Sequence, residues 1–266
     1  MIRIPVVAGK FYPDAPDTLI QTIKVKVVEV EGKVRAKGVV SPHAGYFYSG
    51  KVASEVFSNI EIPEDIIIIG PNHQGIGQFY ALSGADHWGT PLGIVEVNKE
   101  LTEKIIKYTP YVYIDETAHM YEHSIEVQIP FLQFFREDIK IVPFSIMGYD
   151  LNEILLIGRG LKKAIEEYGK DVLIVASSDF SHYVPQWEAE EKDRFAIERI
   201  LAVDPEGLWK KVKEKRVSMC GVAPVTIMLE ALKGDNLKTK LIKYTTSAEA
   251  SGDTSNVVGY AGIILY

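Results

Sequence analysis

The segment "DIIIIGP", Asp65 to Pro71, sets four isoleucines in a row and closes them with Gly70 and Pro71. A continuous β-branched run of this length is stiff at χ1 and has no polar face, so it suits a strand covered on both sides. Such a strand requires helices above and below it, and the flanking sequence supplies them. "KGVVS" (37–41) precedes "KVASEVFSNI", in which Val52, Val56, Phe57 and Ile60 recur at helical spacing. "YALSG" and "GIVEVN" read as strands and "KELTEKIIKY" as a helix; "EHSIEVQIPFLQFF" reads as a helix kinked near Pro130, before the strand "KIVPFSI". "LNEILLIGRGLKKAIEEY" is amphipathic with Asn152 as a cap candidate, and it leads into the apolar "DVLIVASSDF". Helical patterns continue to about residue 216, and "KLIKYTTSAEA" and "VVGYAGIILY" close the chain as strands. This alternation predicts an α/β fold: a single three-layer αβα domain over residues 1–266, around a central mixed, mostly parallel β-sheet. No Pro/Ser-rich linker or internal repeat divides it.

Charge and cysteine usage exclude several function classes. The formal net charge is −7 and no Lys/Arg stripe with interleaved aromatics occurs, so nucleic acid has no electrostatic footprint. The N-terminal "MIRIPVVAGKFYPDAP" lacks the apolar run of a signal peptide, and no stretch is long and apolar enough to span a bilayer. One cysteine forms no internal disulfide, which fits a reducing compartment. The expectation is a cytoplasmic protein, with a small molecule or peptide as partner and a symmetric homodimer as its assembly.

Polar residues collect where the apolar strands stop. His43 follows "VVSP", His73 follows "IIIIGPN", and Asp179 and His182 follow "LIVASS". In open α/β sheets ligands bind outside the carboxyl ends of the strands, so these loops meet in one crevice. Neutral imidazoles converging with a carboxylate suit iron, zinc, copper or nickel, whereas each histidine alone reads more often as a turn or hydrogen-bonding residue than as a ligand. Cys220 stands before "GVAPVTIMLEAL", a helix start with Pro224 in its first turn. A free cysteine there is a buried packing residue, or a thiolate favoured by the helix dipole and available to a metal.

A second constellation lies in "HMYEHSIEVQ". His119, Glu122 and His123 match the H-x-x-E-H pattern, in which two histidines on one helical face hold zinc and the glutamate activates water. No third ligand is visible beside them. An intermediate reading turns His123 and Glu126, three residues apart, toward the crevice as groups supporting the ligands or touching substrate.

Seven segments carry a resemblance: "IPVVAGKFYP", "SPHAGYFYSG", "GPNHQG", "EHSIEVQIPFLQ", "SSDFSHY", "CGVAPV" and "SGDTSNVVGYAG", spread from residue 4 to 262. In order and approximate spacing they resemble the Memo family, named for a mediator of cell motility in animals, whose fold is similar to class III extradiol dioxygenases. The resemblance implies a metal crevice at the strand ends. It places ligand positions on His43, His73 and Cys220, and the acid/base position on His182 with Asp179 beside it. Cys220 stands where the dioxygenases use glutamate. A thiolate is softer than a carboxylate, so Fe(II) is the first metal implied, with Cu and Zn as alternatives.

Three functions follow as expectations. The first is an iron- or copper-dependent oxidoreductase in which His182 moves protons and Asp179 orients it. The second is a non-enzymatic module that keeps the site to bind metal or peptide, and the third is a zinc hydrolase.

Overall fold

The computed structural model describes residues 1–266. The chain begins with β1 (Ile2–Arg3), α1 (Pro16–Lys24), β2 (Gly38–Ser41), α2 (Gly50–Ser58) and β3 (Asp65–Pro71). It continues through β4 (Tyr80–Leu82), β5 (His87–Thr90), β6 (Gly93–Val97), α3 (Lys99–Tyr108) and β7 (Tyr113–Ile114) to α4 (Ile129–Phe135) and β8 (Lys140–Ile146). α5 (Leu151–Tyr168), β9 (Val172–Ser177), β10 (His182–Val184), α6 (Gln186–Leu201) and α7 (Pro205–Lys215) follow. The C-terminal part is α8 (Val222–Leu232), β11 (Thr239–Thr246), α9 (Ala248–Ser251) and β12 (Val257–Leu265).

Strands β6, β8, β3, β9 and β2 lie side by side in that order and all run parallel. β12 closes the sheet antiparallel to β2, with β10 and β11 paired to β12; β5 is antiparallel to β6. The four isoleucines of β3 show why the sheet needs two helical layers. Ile67 and Ile69 pack with Ile154, Ile157 and Leu161 of α5 and Ile227 of α8. Ile66 and Ile68 pack on the opposite face with Leu19 of α1, Phe57 of α2 and Leu132 of α4. All four are fully buried, and each contributes about 1.5 to 3 kcal/mol of apolar burial. The result is an αβα sandwich.

Two local expectations are corrected. Pro130 does not kink a helix: it opens one, α4, at a first-turn position where the missing N–H costs nothing, while residues 126–128 form a separate 3₁₀ turn. The cap of α5 is Asp150, whose carboxylate accepts the N–H groups of Asn152 and Glu153, so Asn152 is capped rather than capping.

Because β2, β3 and β9 are parallel neighbours, their carboxyl ends share one edge of the sheet, and the loops after Ser41, Pro71 and Ser177 emerge together. Two glycines admit other segments to that edge. A Cβ on Gly70 would lie 2.4 Å from Ser124 Oγ, and one on Gly221 would lie 2.4 Å from the Ser177 carbonyl. The first opening admits the 122–125 loop, the second the start of α8.

Candidate metal centre

The loop after β2 carries His43, whose backbone N–H donates to Asp179 Oδ1 at 2.8 Å. Its ring is fixed by a chain of hydrogen bonds with only one consistent set of protons. Ser177 Oγ lies 2.7 Å from the Ser124 carbonyl, which only accepts, so the hydroxyl proton points there. Gln128 Nε2 donates to the same Oγ at 2.8 Å and to the Pro42 carbonyl at 2.9 Å, which orients its amide. The remaining partner, His43 Nδ1 at 2.9 Å, must therefore donate, leaving Nε2 as an unprotonated lone pair. Burial, reinforced by the charges of His73, His123 and His182, holds the His43 pKa well below its ordinary value, so the ring is neutral.

His73, after β3, is held the same way by a different residue. Its Nδ1 lies 2.9 Å from Glu122 Oε1, and its backbone N–H donates to Oε2 of the same carboxylate. Glu122 Oε1 also accepts from the N–H groups of His123 and Ser124. Burial acts to raise the Glu122 carboxyl, but the hydrogen bond from His73, the charges that His73 and His123 carry once protonated at low pH, and the Ser124 N–H outweigh it and hold it at about 2. An ionised carboxylate accepts only, so in the neutral ring of His73 the proton sits on Nδ1 and the lone pair on Nε2. This is the carboxylate–histidine arrangement that orients metal ligands and raises their basicity.

His123 completes the group. Its ring stacks on His73 with centroids 4.7 Å apart, and one nitrogen each from His43, His73 and His123 lie within 4.8 Å of one another. Burial lowers the His123 pKa against the opposing charge of Glu122, so it too is neutral. Three imidazoles, two with Nδ1 tied to acceptors, form a donor set that fits a transition-metal ion.

Cys220 lies beside this trio. Its Sγ is 3.3 Å from His43 Nε2, and it joins no group in which all donor atoms are mutually within reach of one ion. Metal–sulfur and metal–nitrogen bonds of ~2.3 and ~2.1 Å meeting at about 90 to 110° subtend roughly 3.1 to 3.6 Å, so 3.3 Å fits two donors sharing a cation. The helix-start expectation for the thiol needs correction: burial, then the charge of Asp179, push its pKa up, overriding any help from α8 two residues on. The thiolate therefore needs a cation to form it.

Asp179, after β9, is 5% exposed and its Oδ2 lies 4.0 Å from His43 Nε2. Burial raises its pKa to about 6, against the hydrogen bond from the His43 N–H. His182 is half-buried, and its Nδ1 lies 2.8 Å from the Ser218 carbonyl. Nδ1 must donate there, so in the neutral ring the lone pair lies on Nε2.

The H-x-x-E-H pattern does not form a zinc site on a helix. Glu116–His119 is a single 3₁₀ turn and residues 120–125 are irregular, so His119 and His123 share no helical face. His119 is fully buried against Trp88, donating from Nε2 to the Ala81 carbonyl, while Glu122 serves His73. The proposed pairing of His123 with Glu126 also separates. Glu126 is turned to the N-terminal segment, where it accepts from Arg3, the N–H groups of Val6 and Val7, and the Tyr12 hydroxyl. Arg3 donates onward to the carbonyls of His119 and Glu122, so the N-terminal segment braces the loop that carries His123.

Sequence reasoning missed Ser177, Gln128, Ser124 and Arg3, and gave Glu122 another role. A serine ending the otherwise apolar "VLIVAS" was the available signal for Ser177, since a buried hydroxyl requires partners.

A profile of the family described as "Memo-like protein" matches residues 3–264. A "MEMO1 family protein" of Aquifex aeolicus is 42% identical over 266 residues, covering 99% of this chain and 98% of the relative. A "MEMO1 family protein" of Methanococcoides burtonii is 44% identical over 269 residues, covering 99% and 100%. Among solved structures, the uncharacterized protein JW3007 of Escherichia coli K12 superposes with a TM-score of 0.58 at 15% identity, over 86% of this chain and 100% of that one; this likeness concerns the fold alone.

Proposed function

We propose, for a chain that belongs to the Memo-like family along its whole length, that it is a transition-metal protein with redox chemistry centred on His43 and His73. The observation that carries the reading is the pair of oriented rings: Ser177 and Glu122 each take an Nδ1–H and leave Nε2 as the free nitrogen, with one donor atom each from His43, His73 and His123 within 4.8 Å of one another. His123 and Cys220 are the candidates to complete the set. Two histidines with an anionic third donor make Fe(II) the first choice, and the soft thiol keeps Cu and Zn as alternatives.

When bound, iron or copper would supply open coordination positions and one-electron chemistry, whereas zinc would act only as a Lewis acid. The chain supplies the proton handling. His182 accepts a proton at Nε2, because its Nδ1–H is committed to the Ser218 carbonyl. Asp179, with its pKa near 6, holds or releases a proton at Oδ2 while Oδ1 keeps the His43 backbone in place. A second reading, a docking module, is favoured by the exposed rings of Phe47, Phe79 and Tyr121 on loops, of Tyr183 on β10 and of Trp187 at the start of α6.

Oxygen uptake by iron-loaded protein against a panel of phenols separates the two. The redox reading predicts multiple turnovers that fall sharply in His182→Ala; metal binding without turnover on any phenol supports the docking module instead. Cobalt substitution resolves the third donor, since a thiolate-to-metal absorption band lost in Cys220→Ala identifies sulfur.

A further inference from the structure

A cavity of about 330 Å³ lies beside the centre, between the start of α8 and α7. Trp209, Val212, Met219 and Val222 form its apolar walls, and Tyr149 stands exposed at its mouth. Cys220 also lines it, and the Sγ of Cys220 is 3.3 Å from His43 Nε2. The cysteine is thus the partition between the cavity and the imidazoles. Its size is at the small end of ligand pockets, ~300 to 1,000 Å³.

The cavity holds one charged residue, Lys213. Its ammonium group lies 5.0 Å above the Trp209 ring and has no carboxylate partner, whereas Lys210 and Lys211 on the same helix both pair with Glu214. No acidic residue lines the cavity. In a chain of net charge −7, an unpaired cation on an apolar, acid-free wall is a local reversal of sign.

We propose that this cavity binds a small amphipathic monoanion as the substrate of the metal centre, with an apolar ring-sized body against Trp209 and Met219 and a carboxylate at Lys213. The far end of such a molecule meets Cys220, directly behind which His43 lies. The word substrate rests on the metal-centre reading; the binding of the anion does not. A cation is disfavoured by Lys213, and a fully apolar molecule leaves that ammonium unanswered.

The test is calorimetric titration of the whole protein with 3-phenylpropionate, 3-phenylpropan-1-ol and 3-phenylpropylamine, with Trp209 fluorescence as a second readout. The carboxylate is expected to bind roughly tenfold or more tighter than the amine, as one charge-assisted hydrogen bond provides. Lys213→Met should remove that preference and leave the alcohol unchanged. Val222→Trp should fill the cavity and abolish binding of all three probes. No binding to wild type at millimolar concentration, or carboxylate binding indifferent to Lys213→Met, would overturn the proposal even if Val222→Trp fails to fold. Both variants should keep the metal content of wild type. Lys213-dependent binding to a protein that takes up no metal would retain the anion pocket and remove the metal reading instead.

Discussion

Glu122→Gln should weaken metal binding by roughly 10- to 100-fold, as loss of a carboxylate behind a histidine ligand does. The structure shows how. The carboxylate accepts four N–H groups: the backbone and Nδ1 of His73 and the backbones of His123 and Ser124. A glutamine retains one acceptor oxygen. Placed at the Oε1 position it keeps three of these bonds as weaker neutral ones, and its amide then faces the His73 backbone N–H, donor against donor. Hydrogen bonds to a charged group contribute about 1.5 to 3 kcal/mol against about 0.5 to 1.5 for neutral ones, so the metal-free protein should lose about 2 to 4 kcal/mol of stability. His73 also loses the negative charge that makes its Nε2 a stronger donor. Competition between the protein and a chelator for Co(II) measures the first effect, and urea unfolding of the metal-free protein measures the second. Metal affinity within about twofold of wild type, in a folded variant, would refute the carboxylate–histidine reasoning.

His119→Ala should leave metal content unchanged by elemental analysis while lowering stability by about 2 to 4 kcal/mol, since a fully buried ring and its bond to the Ala81 carbonyl are lost. Ile68→Ala should cost about 2 to 5 kcal/mol by chemical denaturation, as a cavity opens in the layer beneath α2 and α4. Asp193, buried beside Ser181 and Tyr244, has its pKa raised by burial from 3.8 to about 6, partly offset by hydrogen bonds from both hydroxyls. The native state therefore binds more protons than the unfolded state between these values, so stability is greatest below that window and falls as pH rises through about 6. The decline, on the order of 2 to 3 kcal/mol from this group, should flatten in Asp193→Asn when midpoints are compared across that range.

The sheet was legible because its central strands have no polar face. The isoleucine run expected to end at Gly70 and Pro71 is the body of β3, which continues through both of them, and "KIVPFSI" coincides with β8. The edge where the site forms was legible for the same reason, since a polar residue following such a strand must lie at its end. His43, His73 and Asp179 were placed there from strand endings alone. What surrounds them was hidden because it is tertiary. Ser177 reaches His43 across 134 residues and Arg3 reaches Glu122 across 119, and no periodicity records such pairings. The H-x-x-E-H pattern misled because its mechanism requires a helix, and the segment instead folds as a 3₁₀ turn and a loop, spending Glu122 on His73. The thiol misled in part as well, because a dipole argument ignores burial, which dominates at Cys220.

The most direct measurement is the metal content of anaerobically purified, untagged protein by elemental mass spectrometry, comparing wild type with His43→Ala and His73→Ala. Near-stoichiometric iron, copper or zinc in wild type, lost in both variants, is the expected result. Wild-type protein that is metal-free and stays so after reconstitution would contradict a metal centre built on the two locked imidazoles.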